Sequence, residues 1–313
     1  MSTKEHPKTK LAAVVGPTAT GKSALAVEIA LAFSGEVINA DSRLFYRGFD
    51  IGTAKPTQEE RRGVPHHLVD GLGPDETFSL AGFLDAARAA ELDITGRGKL
   101  PVLVGGTGQY VWGLLEGWEA PRVPPDPVLR RALEHEAREK GVEALFARLE
   151  QASPASAASV DRRNPRRVIR ALERAAAGPG AASRPKKAAA PPFDALVIGL
   201  TLPRHELYAR IDRRIDAMAA AGWADEVRRL LASGVSRDCP VMSSIGYRGM
   251  AAYVSGEISL EEAIAAARKD TRRLVRHQYN WFKLSDPRIL WLEGGEGAEE
   301  QAAHVIRAWL SRP

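Results

Sequence analysis

The chain has 313 residues, 44% of them hydrophobic, and 44 Lys+Arg against 39 Asp+Glu leave a formal charge of +5. That length supports one large core or two ordinary ones, and the modest cationic surplus suits a polyanionic partner. No apolar run is long enough for a membrane span, and the single Cys239 excludes internal disulfides and cysteine-rich zinc modules. The polar start, residues 1–10, lacks the apolar stretch of a secretory signal, so a cytoplasmic location is expected.

Residues 11–15 (Leu-Ala-Ala-Val-Val) form an apolar run that predicts a buried strand, and residues 24–32 are strong helix formers. Between them lies Gly16-Pro17-Thr18-Ala19-Thr20-Gly21-Lys22-Ser23, the G-x-x-x-x-G-K-S pattern of a phosphate loop. Such a loop offers backbone N–H groups, a lysine and a hydroxyl ligand for Mg2+, here Ser23, at a helix N-terminus that favours anions. Thr18 and Thr20 add possible donors. ATP is the common occupant of loops with this pattern.

Residues 36–40 predict a second short strand ending at Asp41. In an open parallel sheet, ligands sit beyond the carboxyl ends of strands, so Asp41 is expected on the same rim as the loop. Residues 48–73 are rich in Gly, Pro, Thr and His and are expected as a long loop region. Residues 78–95 follow a helical period. Residues 100–104 are the next buried strand, closed by the tight turn Gly105-Gly-Thr107-Gly108. Its tip carries no acidic residue, which argues against ordinary ATP hydrolysis.

A proline-rich break at 119–127 leads into a charged helical region over 128–174, then an Ala/Gly/Pro-rich stretch, 175–192, expected as a mobile linker. Strand character returns at 195–200. A helix follows over 205–221 with Arg210, Arg213 and Arg214, then a long helix over 260–282. Residues 289–293 and 299–310 predict a last strand and helix. The expected fold is α/β: a phosphate-loop, NTPase-like parallel sheet flanked by helices, with a helical insertion. Its parts are 11–118, 119–192 and 193–313.

Two basic stretches stand out, one with Arg162, Arg163, Arg166, Arg167, Arg170 and Arg174, the other with Lys269, Arg272, Arg273, Arg276 and Lys283. Together they suit a polyanion larger than a nucleotide. His66 and His67 are adjacent and have no third ligand at a recognisable spacing, so a structural role is expected. Trp112, Trp118 and Trp281 are expected to pack in the core or at its rim.

The phosphate loop, Ala40-Asp-Ser-Arg43, Tyr46-Arg-Gly-Phe-Asp-Ile-Gly-Thr-Ala-Lys-Pro56, Pro65-His-His-Leu-Val-Asp70, the Gly105–Gly108 turn, Arg210-Ile-Asp-Arg-Arg-Ile-Asp-Ala-Met218, Ile245-Gly-Tyr-Arg248 and the pattern Thr271, Arg276-His-Gln278, Trp281 occur in that order. Over about residues 11 to 284 the chain closely resembles the tRNA dimethylallyltransferases (tRNA isopentenyltransferases).

The resemblance implies transfer of a dimethylallyl group from dimethylallyl diphosphate to the exocyclic amine of the adenosine just 3′ of the anticodon, giving isopentenyladenosine. It implies that the helical insertion is a tRNA-binding subdomain. By position, Asp41 matches the family's general base, Arg214 the arginine that grips the diphosphate, and Thr107 a threonine near the reacting adenosine. The loop Gly16–Ser23 then holds the isoprenoid diphosphate with Mg2+ on Ser23. Contacts to the anticodon stem-loop are implied at Asp41, Ser42, Arg43 and Leu44, at Thr107 and Arg130, at Arg166, Arg167, Val168, Ile169 and Arg170, and at Ser243, Ser244, Ile245, Gly246, Tyr247 and Arg248. Leu44 stands where family members usually carry glutamine, and Gln109 where leucine is common. Gln109 is expected to supply polarity missing at Leu44. A monomer is expected.

The rival readings are a prenyltransferase acting on free adenine nucleotides, a phosphate-loop kinase, and a non-catalytic RNA-binding module. The insertion and the two basic stretches favour a macromolecular acceptor over the first. The acid-free strand tip weighs against the second, and a complete phosphate loop against the third.

Overall fold

Parallel strands covered on both faces consist of continuous apolar residues, and that pattern builds the centre of this protein, a computed structural model describing residues 8–123, 126–178 and 186–312. The chain divides into two compact units, Met1–Gly117 with Ala189–Pro313, and Trp118–Ala188.

The larger unit opens with β1 (Thr9–Val15), α1 (Lys22–Ala32), β2 (Gly35–Asn39), α2 (Gln58–Arg61), β3 (His66–His67), α3 (Leu80–Gly96), β4 (Leu100–Val104) and α4 (Gly108–Leu115). The smaller unit holds α5 (Pro127–Lys140), α6 (Val142–Ala152), α7 (Pro154–Ala157) and α8 (Pro165–Ala176). The larger unit resumes with β5 (Phe193–Thr201), α9 (Arg204–Ala220), α10 (Trp223–Ala232), a 3-10 turn at Pro240–Ser243, α11 (Tyr247–Val254), α12 (Leu260–Trp281), β6 (Ile289–Glu293) and α13 (Ala298–Leu310).

The six strands form one sheet in the order β3-β2-β4-β1-β5-β6. Every pairing is parallel. The carboxyl ends of all six therefore meet at one edge. The α/β expectation holds. β1, β2 and β4 sit in the middle, and each of β2 and β4 is buried along its whole length. Val14, Val37, Val102 and Ile198 pack with Leu25, Ile29, Ile306 and Trp309 from α1 and α13 to form a core layer.

Residues 48–73, expected as loop, contain α2 and the edge strand β3. The four residues of α2 are held by a capping box in which Thr57 accepts the Glu60 amide and Glu60 accepts the Thr57 amide. β3 is two histidines long, and each has a structural partner. His67 Nε2 meets Glu36 at 2.7 Å, and His66 Nδ1 meets the Val64 carbonyl at 2.9 Å. Glu36, 1% exposed near the amino end of β2, also takes Arg97 and Lys99. These partners, Arg97 first, hold its carboxyl well below the usual carboxylate range against the opposing effect of burial.

The smaller unit has its own core of Leu133, Leu145, Leu149, Val168, Ile169 and Leu172. Asp126 caps α5 and Asn164 caps α8, each followed by proline at the first helical position. The expected linker 175–192 starts inside α8, and its residues 179–185 lie outside those described. Lys186 and Glu119 exchange backbone hydrogen bonds of 2.7 and 3.1 Å.

Candidate active site

Four connections leave the carboxyl edge of the sheet side by side: the phosphate loop after β1, Asp41 after β2, the Gly105–Gly108 turn after β4, and the entry to α9 after β5. The loop is wound tightly. Gly16 has φ 130°, and a Cβ there would lie 2.4 Å from the Leu200 carbonyl oxygen, so only glycine lets the loop start against β5. Pro17 turns its carbonyl inward, accepting the Thr20 hydroxyl at 2.9 Å and the Lys22 ammonium at 2.6 Å. Thr20 is 1% exposed. Its hydroxyl is therefore engaged within the loop. Gly21, at φ 97°, starts α1, leaving Ser23 exposed on its first turn.

Two cations serve this loop. Arg214 of α9 donates from Nη1 to Thr18 Oγ1 at 3.2 Å. Desolvation lowers its pKa, opposed by the charges of Asp41 and Glu60. Burial likewise pushes the Lys22 ammonium down to about 7, with Asp41 opposing the drop and Arg214 adding to it. The Asp41 charge favours the ionised form of both cations.

Asp41 itself is held by its backbone. Its N–H donates to Asn39 Oδ1 at 2.8 Å, and Asn39 Nδ2 donates to the Asp41 and Leu68 carbonyls at 3.0 and 2.9 Å. The Asp41 carboxylate accepts the Arg43 amide at 3.0 Å through Oδ1. Thr107 joins β2 to β4, its N–H donating to the Ala40 carbonyl at 3.3 Å and its Oγ1 accepting the Ser42 N–H at 3.2 Å. Leu44 is half-buried, and Gln109 is exposed on the first turn of α4.

Other expected residues divide by burial. In 243–248, Arg248 is exposed and Ser243, Ile245 and Gly246 are half-buried. Tyr247 is fully buried, its hydroxyl donating to Glu226 at 2.7 Å, and Ser244 donates to the Val241 carbonyl. Their side chains are engaged within the protein. Burial, then the Glu226 charge, pushes the Tyr247 phenol far above its ordinary value. Glu226 also accepts the amides of Asp50, Ile51 and Gly52 at 2.9, 2.7 and 3.3 Å. In the smaller unit, Arg166 and Arg167 are exposed, while the Val168 and Ile169 side chains lie in its core. Arg130 and Arg170 both bind the buried Glu173 carboxylate, at 2.8 and 3.0 Å, and their guanidinium groups are partly committed there.

Asn39 and Glu226 were not anticipated as parts of this region, and Gln278 was noted only within the Thr271–Trp281 pattern, with no role at the site. Each is a polar residue on an otherwise buried apolar strand end or helix face, and that misfit is the signal they carry. Gln278 links the loop to the turn: its Oε1 accepts the Thr18 N–H at 2.8 Å, and its Nε2 donates to the Gly106 carbonyl at 3.3 Å.

A glycine-rich loop, two desolvated cations and a carboxylate at the carboxyl edge of a parallel sheet suit a phosphorylated ligand in an α/β protein. Residues 44–285 match the family model described as IPP transferase. The tRNA dimethylallyltransferase of Roseiflexus sp. (strain RS-1) is 50% identical over 301 residues, 96% of this chain and 98% of its own. That of Thermomicrobium roseum is 52% identical over 272 residues, 87% of this chain and 82% of its own. The chain belongs to the tRNA dimethylallyltransferase (IPP transferase) family. Its fold matches the solved full-length tRNA isopentenylpyrophosphate transferase of Bacillus halodurans with TM-score 0.71 and 39% identity over 97% of each chain. A eukaryotic dimethylallyltransferase solved acting on tRNA matches with TM-score 0.80 and 25% identity, over 97% of this chain and 80% of its own.

Proposed function

We propose that this protein transfers a dimethylallyl group from dimethylallyl diphosphate to the exocyclic amine of the adenosine 3′ of the anticodon in tRNA, releasing diphosphate. The observation that carries the reading is Arg214 fastened to the phosphate loop through Thr18, with Asp41 following β2 at the same carboxyl edge of the sheet.

An aromatic amine is a weak nucleophile because its lone pair is delocalised. As nitrogen attacks the allylic carbon, the carbon–oxygen bond breaks toward the diphosphate and the amine proton passes to the Asp41 carboxylate. The loop amides, Lys22 and Arg214 stabilise the charge growing on the leaving group. Thr107 keeps the Asp41–Ser42 segment in place beside the acceptor.

The exposed Ser23 hydroxyl on the first turn of α1, open to water, suits Mg2+, which takes hard oxygen donors and keeps several waters. When bound, the ion neutralises charge on the diphosphate.

The target adenosine sits in a stacked loop and must be extruded to reach Asp41. Exposed Arg162 and Arg163 just before α8 and Arg166 and Arg167 in its first turn support an RNA rather than a free-nucleotide acceptor. Labelled dimethylallyl diphosphate is incubated with the protein and either unmodified tRNA or AMP. Label in tRNA is expected; label in AMP alone overturns the reading.

A further inference from the structure

We infer that Gln278 is the positioning residue that sets the distance between the diphosphate side and the acceptor side of this site, an inference resting on the transferase reading above. Gln278 lies on the buried face of α12 with Val275, and it is 5% exposed. A buried amide must find partners for both its donor and its acceptor. It finds them on two different connections of the sheet edge, Thr18 after β1 and Gly106 after β4.

Both partners continue directly into the chemistry. Thr18 holds Arg214 through its hydroxyl, and the residue after Gly106 is Thr107, which holds Ser42 beside Asp41. One side chain therefore bridges the group that grips the leaving diphosphate and the group that orients the base. The approach is close enough that a Cβ on Gly106 would lie 2.1 Å from Gln278 Nε2. Gln278 also occupies the Thr18 N–H, which is then not among the loop amides offered to the anion.

The residue type follows from the task. The bridge needs an acceptor toward an N–H and a donor toward a carbonyl, and a carboxamide supplies both on one rigid plane. The displacement needs attacking nitrogen and leaving oxygen on opposite sides of one carbon. A misplacement of about 1 Å there costs on the order of 100-fold in rate.

The test compares wild type with Gln278→Met and Gln278→Glu. It measures kcat, KM for dimethylallyl diphosphate and for tRNA, and hydrogen exchange at the Thr18 amide in the ligand-free protein. Gln278→Met should lower kcat about 10- to 100-fold with both KM values within about threefold, and should speed Thr18 exchange. Gln278→Glu keeps the size and the acceptor, so Thr18 stays protected. Its carboxylate cannot donate to Gly106, and kcat should still fall about tenfold or more. Wild-type kcat in Gln278→Glu, or a loss confined to KM or melting temperature, overturns the inference. So does Thr18 exchange indifferent to Gln278→Met. If Gln278→Met does not fold, the glutamate variant decides. If wild type labels no tRNA, the transferase reading fails, and Thr18 exchange still decides whether Gln278 holds the loop.

Discussion

The Thr107 hydroxyl oxygen accepts the Ser42 amide at 3.2 Å, so the turn after β4 is pinned to the residue that follows Asp41. Asn39 grips the Asp41 backbone from the other side, and the Arg43 amide donates to the Asp41 carboxylate. Replacing Asp41 by Asn preserves an acceptor for the Arg43 amide while removing the proton acceptor. Asp41→Asn should lower kcat by roughly two to four orders of magnitude. Binding of tRNA, measured by filter retention, should change by less than about threefold.

Lys22 titrates near pH 7 before any anion arrives. A bound diphosphate favours the ammonium and raises that pKa. Above about 7, binding must therefore take up a proton, and affinity falls as pH rises from about 7 to 9. Calorimetry in buffers of different ionisation enthalpy should report this uptake. Lys22→Arg, charged throughout, should flatten the Lys22 contribution.

Glu226 organises the Asp50–Gly52 segment from 174 to 176 residues away, accepting three amides and the Tyr247 hydroxyl. Truncation to alanine leaves the buried Tyr247 hydroxyl and three part-buried amides without this partner, an unmet buried group costing roughly 1–3 kcal/mol before relaxation. Glu226→Ala should lower stability by about 2–4 kcal/mol in urea unfolding. Exchange should speed up first at the amides of residues 50–52.

Glu36 links stability to acid. Its folded pKa is depressed by Arg97, Lys99 and His67, so its contribution is fully present above the unfolded value of about 4.3 and lost as pH falls toward the folded one. The melting temperature should therefore drop steeply below about pH 4, and less steeply in Glu36→Gln. Arg97 and Lys99 are 41% and 40% exposed and rehydrate on loss of the carboxylate, which places the cost of Glu36→Ala at about 2 kcal/mol.

β1, β2 and β4 were legible because each is a short apolar run ended by glycine or by Asp41, and because the phosphate loop has a strict local spacing. β3 was not: two histidines present no period, and their pairing with β2 exists only through register. α10 and α11 also escaped, since Trp223 and Tyr247 are packed against glycines far along the chain, Gly246 and Gly52. The arginine-rich α8 read as one basic face, yet Arg170 serves Glu173 while Arg166 and Arg167 stay exposed.

Local order alone determined which groups this protein brings to its sheet edge: an anion loop, a carboxylate at a strand tip, a glycine turn and an arginine helix. Their spacing along the chain is set by hydrogen bonding within a few residues, which sequence states directly. Tertiary packing alone decided that Gln278 would span Thr18 and Gly106, 260 and 172 residues away. A buried amide takes whichever donor and acceptor the folded chain leaves opposite it, and no local pattern names them.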